Sequence, residues 1–242
     1  MEQLFEEFRE LLNSRIRHHS GFTEFGEDSV RLDFCISLVK TLHIQPYQIS
    51  LERPIPKGQF TPSPKKKETP SARGRQEDKP EIDLVVDPLD NLANGLVVEF
   101  AFFRKSLQAA NSPQTKQHAK LMNDILRLSL MKEYKDYRNY QHLMICLSDE
   151  EMIDYGATGK RGPKAMPIQK EYNFNEALLK QLLERKTLQF DPRFESMAKT
   201  KCIEAKAKLI YHSLTKSEGD ISKWVIWIWE VGFEEVSSKK FG

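Results

Sequence analysis

Residues 81–105, EIDLVVDPLDNLANGLVVEFAFFRK, constrain the fold of this chain more than any other stretch. Two runs rich in β-branched and aromatic residues flank PLDNLANG, whose proline, asparagines and glycine mark a reversal of direction. An antiparallel hairpin is expected. Each run carries an acid in an apolar setting, Asp83 in the first and Glu99 in the second. Side chains two apart share a strand face, so Asp83 groups with Glu81, and Glu99 with Ala101, Phe103 and Lys105. A hairpin can set Asp83 beside Glu99, and adjacent carboxylates repel unless a cation lies between them. Mg²⁺ takes one or two carboxylates plus waters and phosphate oxygens. There it polarises a phosphoryl group and activates a water.

The flanking sequence supplies helices. Leu4, Phe5, Phe8, Leu11, Leu12 and Ile16 recur at helical spacing, and a second helix is expected from Glu27 to His43 with Val30, Phe34, Leu38 and Leu42 on one face. Glu27 lies two turns before Phe34 on that apolar side, as a first-turn acid suited to the helix dipole or as a core-facing acid in need of a partner. YQISLER (47–53) reads as a strand ending at Pro54, residues 114–135 as a long helix, and HLMICLS (142–148) as a buried strand. Residues 150–172 read as a loop, 174–185 and 195–214 as helical patterns, and 223–233 as a terminal strand. From the second helix onward the order is helix, strand, strand, strand, helix, strand. That order predicts one α/β domain over residues 1–242, a mixed β-sheet flanked by helices.

Of the 242 residues 39% are apolar and 30% charged, which suits a soluble globular protein. No apolar run approaches the roughly 18 residues of a membrane span, and the acidic, amphipathic start MEQLFEEFRELL is unlike a signal peptide. Cys35, Cys146 and Cys202 fit neither a zinc spacing nor a disulfide framework; buried free thiols and a cytoplasmic setting are expected. The net charge of +2 is unevenly placed. Residues 57–79 hold seven Lys or Arg against three Asp or Glu, with only Phe60 and Ala72 apolar, so this insertion cannot build a core. It reads as a flexible spacer, as a basic arm tracking a phosphate backbone, or as both; Lys65, Lys66, Lys67, Arg73 and Arg75 would make the contacts, with Lys105 beyond the hairpin. The GxxGK in YGATGKRGPK lacks the spacing of a phosphate-binding loop, although Lys160, Arg161 and Lys164 could touch phosphates. Trp224, Trp227 and Trp229 read as core residues rather than base-stacking platforms.

The succession Glu27, Asp83 and Glu99-Phe-Ala101 resembles the PD-(D/E)XK nuclease superfamily. VEFAFFRK followed by NDILRLSL is similar to a group of prokaryotic proteins of that fold, which carry an EFK or ELK strand and then a helix containing D-I-F-R-L. The resemblance spans roughly residues 27–148. It implies a restriction-endonuclease-like core (αβββαβ) and Mg²⁺-dependent cleavage of DNA, Mn²⁺ substituting, by a restriction or defence enzyme working as a homodimer. Glu27, Asp83 and Glu99 would be the metal-associated acids. The departure is Ala101, where the family pattern has lysine to orient the attacking water and stabilise developing negative charge. Three accounts compete. The lysine has been replaced to inactivate the chain, which the retained acids favour; its role has moved to Lys105, Lys116 or Lys120; or the chain is a natural pseudonuclease that only binds nucleic acid.

Overall fold

The computed structural model describes residues 1–18, 26–55, 81–88, 94–103, 114–132, 136–149, 168–175, 203–215 and 224–235, with isolated positions 92 and 177. They form an α/β protein of three α-helices and a seven-stranded mixed open sheet. The helices are α1 (Glu2–His18), α2 (Glu27–Leu42) and α3 (Gln114–Met131). The strands are β1 (Ile49–Pro54), β2 (Glu81–Val86), β3 (Leu96–Phe103), β4 (Gln141–Asp149), β5 (Glu171–Phe174), β6 (Ile203–Thr215) and β7 (Trp224–Glu235), in sheet order β1-β2-β3-β4-β7-β6-β5. The expected αβββαβ succession is therefore present as α2-β1-β2-β3-α3-β4.

Strands β1, β2 and β3 form an antiparallel meander, whereas β3 and β4 run parallel with α3 as the crossover. Parallel neighbours need such a crossover, and it buries both faces of the central strands. The burial pattern of β3 accordingly has no polar-out alternation: Leu96 to Ala101 are all buried. One face packs Leu84, Val86, Val98, Phe100, Ile145 and Ile228 beneath α1 and α2. The other packs Val85, Val97, Ala101, Met144, Cys146 and Trp229 beneath α3. At the β2–β3 turn, a Cβ on Gly95 would lie 2.3 Å from the Tyr140 ring and 2.6 Å from the Val86 carbonyl, so only glycine fits there.

One expected element is different in kind. The helical pattern over 195–214 is strand β6 wherever it is described, Ile203–Thr215, paired with β7 as far as Thr215 opposite Trp224. Its EAKAKL run is made of good helix formers, but Ala205 and Ala207 are buried while Lys208 is exposed. That two-residue alternation and the long ladder to β7 override local propensity. Smaller differences lie at element ends. Pro46–Gln48 form a 3-10 turn before β1, α3 stops at Met131, and β5 begins inside the expected 150–172 loop. The expected helix over 174–185 lies almost wholly outside the described residues, as does the 57–79 insertion. Trp224, Trp227 and Trp229 are buried, as expected of core residues. Cys35 and Cys146 are free thiols, Cys146 buried and Cys35 partly so, and Cys202 is outside the described residues. Among the described residues no helix is long and apolar enough to cross a membrane.

Candidate functional site

The site forms where β2 and β3 part. Their ladder covers only Leu84↔Val98, Val85↔Val97 and Val86↔Leu96. The next position in the same register sets Asp83 opposite Glu99, but there the ladder has ended. Instead the Phe100 N–H donates to Asp83 Oδ2 at 2.8 Å. Strand β3 continues alongside β4 through Phe103↔Ser148, so β2 peels away while β3 stays in the sheet. On the far side of β2, the pairing with β1 skips the Glu52–Asp83 position, where Glu52 adopts a left-handed φ of 51°. Asp83 thus sits at an irregularity shared by three strands, and such irregularities re-aim side chains.

Two helices close on this fork. From the first turns of α2, Arg31 Nη2 donates to Glu27 Oε1 and to Asp83 Oδ1, each at 2.7 Å. Its Nη1 lies 3.5 Å from both Asp28 and Glu52. From α3, Lys120, Asp124 and Arg127 follow at i, i+4 and i+7 and so share one face. Lys120 Nζ donates to the Phe100 carbonyl at 2.5 Å, and lies 3.1 Å from Asp124 Oδ2 and 3.6 Å from Glu27 Oε2. Arg127 Nη2 donates to Glu99 Oε2 at 2.5 Å and to Asp124 Oδ1 at 2.8 Å. Six acids (Glu27, Asp28, Glu52, Asp83, Glu99, Asp124) therefore meet three cations (Arg31, Lys120, Arg127), so acids outnumber bases.

Glu99 is the most perturbed member. Its side chain is 0% exposed, and burial pushes its carboxyl well above the usual 4.5. The Arg127 guanidinium pulls it down, while Asp83 and Asp124 push it up again, Asp83 from hydrogen-bonding range. Burial works against charge on Lys120 too, yet Asp124, Glu27, Asp83 and Glu99 hold its ammonium above its ordinary value. Burial opposes Arg31 as well, but Asp83, Glu27 and Asp28 raise it.

Four atoms of the cluster are buried with no hydrogen-bond partner: Glu99 Oε1, Asp124 Oδ2, Arg31 Nε and Arg127 Nε. A buried carboxylate oxygen facing another carboxylate is costly unless a proton or a cation joins them. The donors here are all oxygen, which suits a hard divalent ion held by two carboxylates. Asp83 and Glu99 fit that role. Glu27 is separated from the pair, because Arg31 bridges it to Asp83 and Lys120 stands on its other oxygen. Among the described residues no group of three or more His, Cys, Asp or Glu side chains could hold a metal ion.

The structure brings Glu27, Asp83 and Glu99 to one place, with Ala101 on the strand face of Glu99, buried against α3. Of the three alternative lysines, Lys120 reaches the site; Lys105 lies outside the described residues, and the side chain of Lys116 is among those not described. Lys65, Lys66, Lys67, Arg73, Arg75, Lys160, Arg161 and Lys164 also lie outside them. Sequence reasoning missed Arg31, and gave no site role to Asp124 and Arg127 although both lie in the NDILRLSL stretch that carries the resemblance. The available signal was spacing: Glu27/Arg31 at i, i+4 and Lys120/Asp124/Arg127 at i, i+4, i+7 put polar groups in line on helices that otherwise pack apolar residues. No family model, no curated protein and no solved structure matches this chain.

Proposed function

We propose that this chain is a magnesium-dependent DNA endonuclease on a restriction-endonuclease-like core, acting in restriction or defence. One observation carries the reading: two carboxylates from adjacent strands and an ammonium from the crossover helix converge where those strands part. Asp83 and Glu99 would hold Mg²⁺, or Mn²⁺ in its place, with Glu27 reaching it through water. The bound ion would polarise the phosphoryl group and lower the pKa of an attacking water. Arg31 fixes the rotamer of Asp83, and Arg127 fixes that of Glu99. Lys120 supplies the positive charge that a lysine at position 101 would otherwise bring to the developing phosphorane. Alanine at 101 leaves room for it: a small side chain there lets α3 pack closely and present Lys120 across the Phe100 carbonyl. Of the three accounts of Ala101, migration is the one this geometry supports.

The test is nicking of supercoiled plasmid by the full chain. Cleavage is expected with Mg²⁺ or Mn²⁺, to be abolished by chelation and by Glu99→Gln. DNA binding without cleavage in either metal would favour a catalytically inactive nucleic-acid-binding protein of the same fold.

The 57–79 insertion enters the proposal through charge alone. Its surplus of four positive charges predicts that deleting it flattens the salt dependence of DNA binding. Each lost phosphate contact removes about 0.9 from the slope of log K against log salt. An unchanged slope would make the segment a spacer.

A further inference from the structure

Asp83 has both of its oxygens committed. Oδ2 accepts the Phe100 N–H at 2.8 Å, and Oδ1 accepts from Arg31 Nη2 at 2.7 Å. The same Nη2 donates to Glu27 Oε1 at 2.7 Å, so one nitrogen caps an oxygen on each of two acids. Beside them Glu99 Oε1, on a side chain that is 0% exposed, has no hydrogen-bond partner. An oxygen ligand sits about 2.0–2.1 Å from Mg²⁺. A guanidinium and a divalent ion sharing Asp83 Oδ1 would repel strongly at such range.

The grip of Arg31 differs from that of two other arginines paired to acids. Arg15 clasps Asp33 through Nε and Nη2, and Arg53 clasps Asp87 through both Nη atoms. Such twofold bonds are the strong ones. Arg31 reaches Asp83 through Nη2 alone, and its Nε is buried without a partner. Its Nη1 lies 3.5 Å from each of two exposed acids, Asp28 and Glu52. We propose that Arg31 is a displaceable stand-in for the divalent ion: its guanidinium caps the ligand oxygens at rest and swings out to Asp28 and Glu52 when the ion binds. The swing uncaps Asp83 Oδ1 and frees Glu27 Oε1 to hold a bound water, while the Phe100 N–H keeps Asp83 aimed. With Arg31 in place, no three acids among the described residues form a metal site. Its departure brings Glu27 into play with Asp83 and Glu99. The resting chain thus binds the ion more weakly than the uncapped form, in proportion to how seldom Arg31 is out. The inference rests on Asp83 and Glu99 as the metal-holding pair of the proposed nuclease.

The experiment is Mn²⁺ binding to the full chain without DNA, read from the paramagnetic resonance signal of free Mn²⁺, with plasmid nicking assayed in parallel. Arg31→Ala should bind Mn²⁺ at least about ten-fold more tightly than the native chain, because a positive charge leaves the side of the ion. Free guanidinium at tens of millimolar should reverse that gain by refilling the vacated place, and equal sodium chloride should not. Arg31→Gln, which keeps a donor beside Glu27, gives the same comparison should Arg31→Ala fold poorly. A crystal of the native chain grown with Mn²⁺ should show the ion on Asp83 and Glu99 with Arg31 Nη2 beyond hydrogen-bonding distance of Asp83. Equal Mn²⁺ affinity in native and variant chains overturns the proposal. So does a gain indifferent to guanidinium, or an ion on Asp83 with Arg31 still bonded there. Nicking by a native chain whose Mn²⁺ affinity ignores Arg31 would refute the stand-in and leave the nuclease standing. Tighter, guanidinium-sensitive Mn²⁺ binding in a chain that cuts nothing would do the reverse.

Discussion

Lys120→Met is expected to lower magnesium-dependent cleavage by about 10²–10³-fold, the usual cost of losing one preorganised electrostatic group. Methionine keeps the length and packing of the side chain and removes only the ammonium, which sits 2.5 Å from the Phe100 carbonyl. Ala101→Lys in the same background should recover part of the loss, because position 101 shares the strand face of Glu99 and Lys120→Met removes the ammonium that would repel a second one. Measuring thermal stability alongside separates chemistry from folding, since Asp124 also loses an ion-pair partner. The contrary outcome is specific. If the native chain is inert and Ala101→Lys alone makes it cut, then position 101 was the seat of the lysine and Lys120 is a structural ion pair.

The second large effect is on stability. Arg127→Met removes the one charged hydrogen bond to Glu99 and strands a carboxylate that is 0% exposed, at an expected cost of about 3–5 kcal/mol near neutral pH. The pH dependence has a definite sign. Burial raises the folded-state pKa of Glu99 above 4.5, so the folded protein holds this proton more tightly than the unfolded chain. The resulting stabilisation is full below 4.5 and is lost as pH rises through the raised value. Without Arg127 that value rises further. The deficit of Arg127→Met should therefore be small in acid and grow as pH increases. Adding Glu99→Gln should recover most of it. Urea unfolding at several pH values measures all three, and equal midpoints for native and Arg127→Met at neutral pH would show that the pair is not buried as described.

The hairpin, the face parity of β3 and the helices α1, α2 and α3 were legible because their signals are local: alternation, turn residues and apolar spacing. In β2 the parity breaks at Asp83, with Ile82 and Val85 in one core and Leu84 and Val86 in the other. The acids Asp83 and Glu99 were legible for the same reason, as charges interrupting apolar runs. Strand β6 was not, because alanine and lysine favour helices and only pairing with β7 makes a strand of EAKAKL. Nor could the sequence choose among lysines. Which one arrives depends on how closely α3 packs on Ala101, a property of the assembled core. Arg31 was hidden differently: it serves α2 locally through Glu27, and its bond to Asp83 spans 52 positions of chain.

The short ladder between β2 and β3 has a consequence for how this site can change over time. Beyond Leu84 the sheet lacks a main-chain acceptor from β2 for the Phe100 N–H, and the carboxylate of Asp83 takes that place. One side chain thus acts as a missing rung of the sheet and as a member of the charged cluster. Asparagine could keep the rung and lose the charge, whereas alanine would lose both. Selection on the seam alone would be enough to keep an oxygen-bearing side chain at position 83. The acid is in that sense anchored by architecture, and a lineage relaxing its chemistry would shed Lys120 before it shed Asp83.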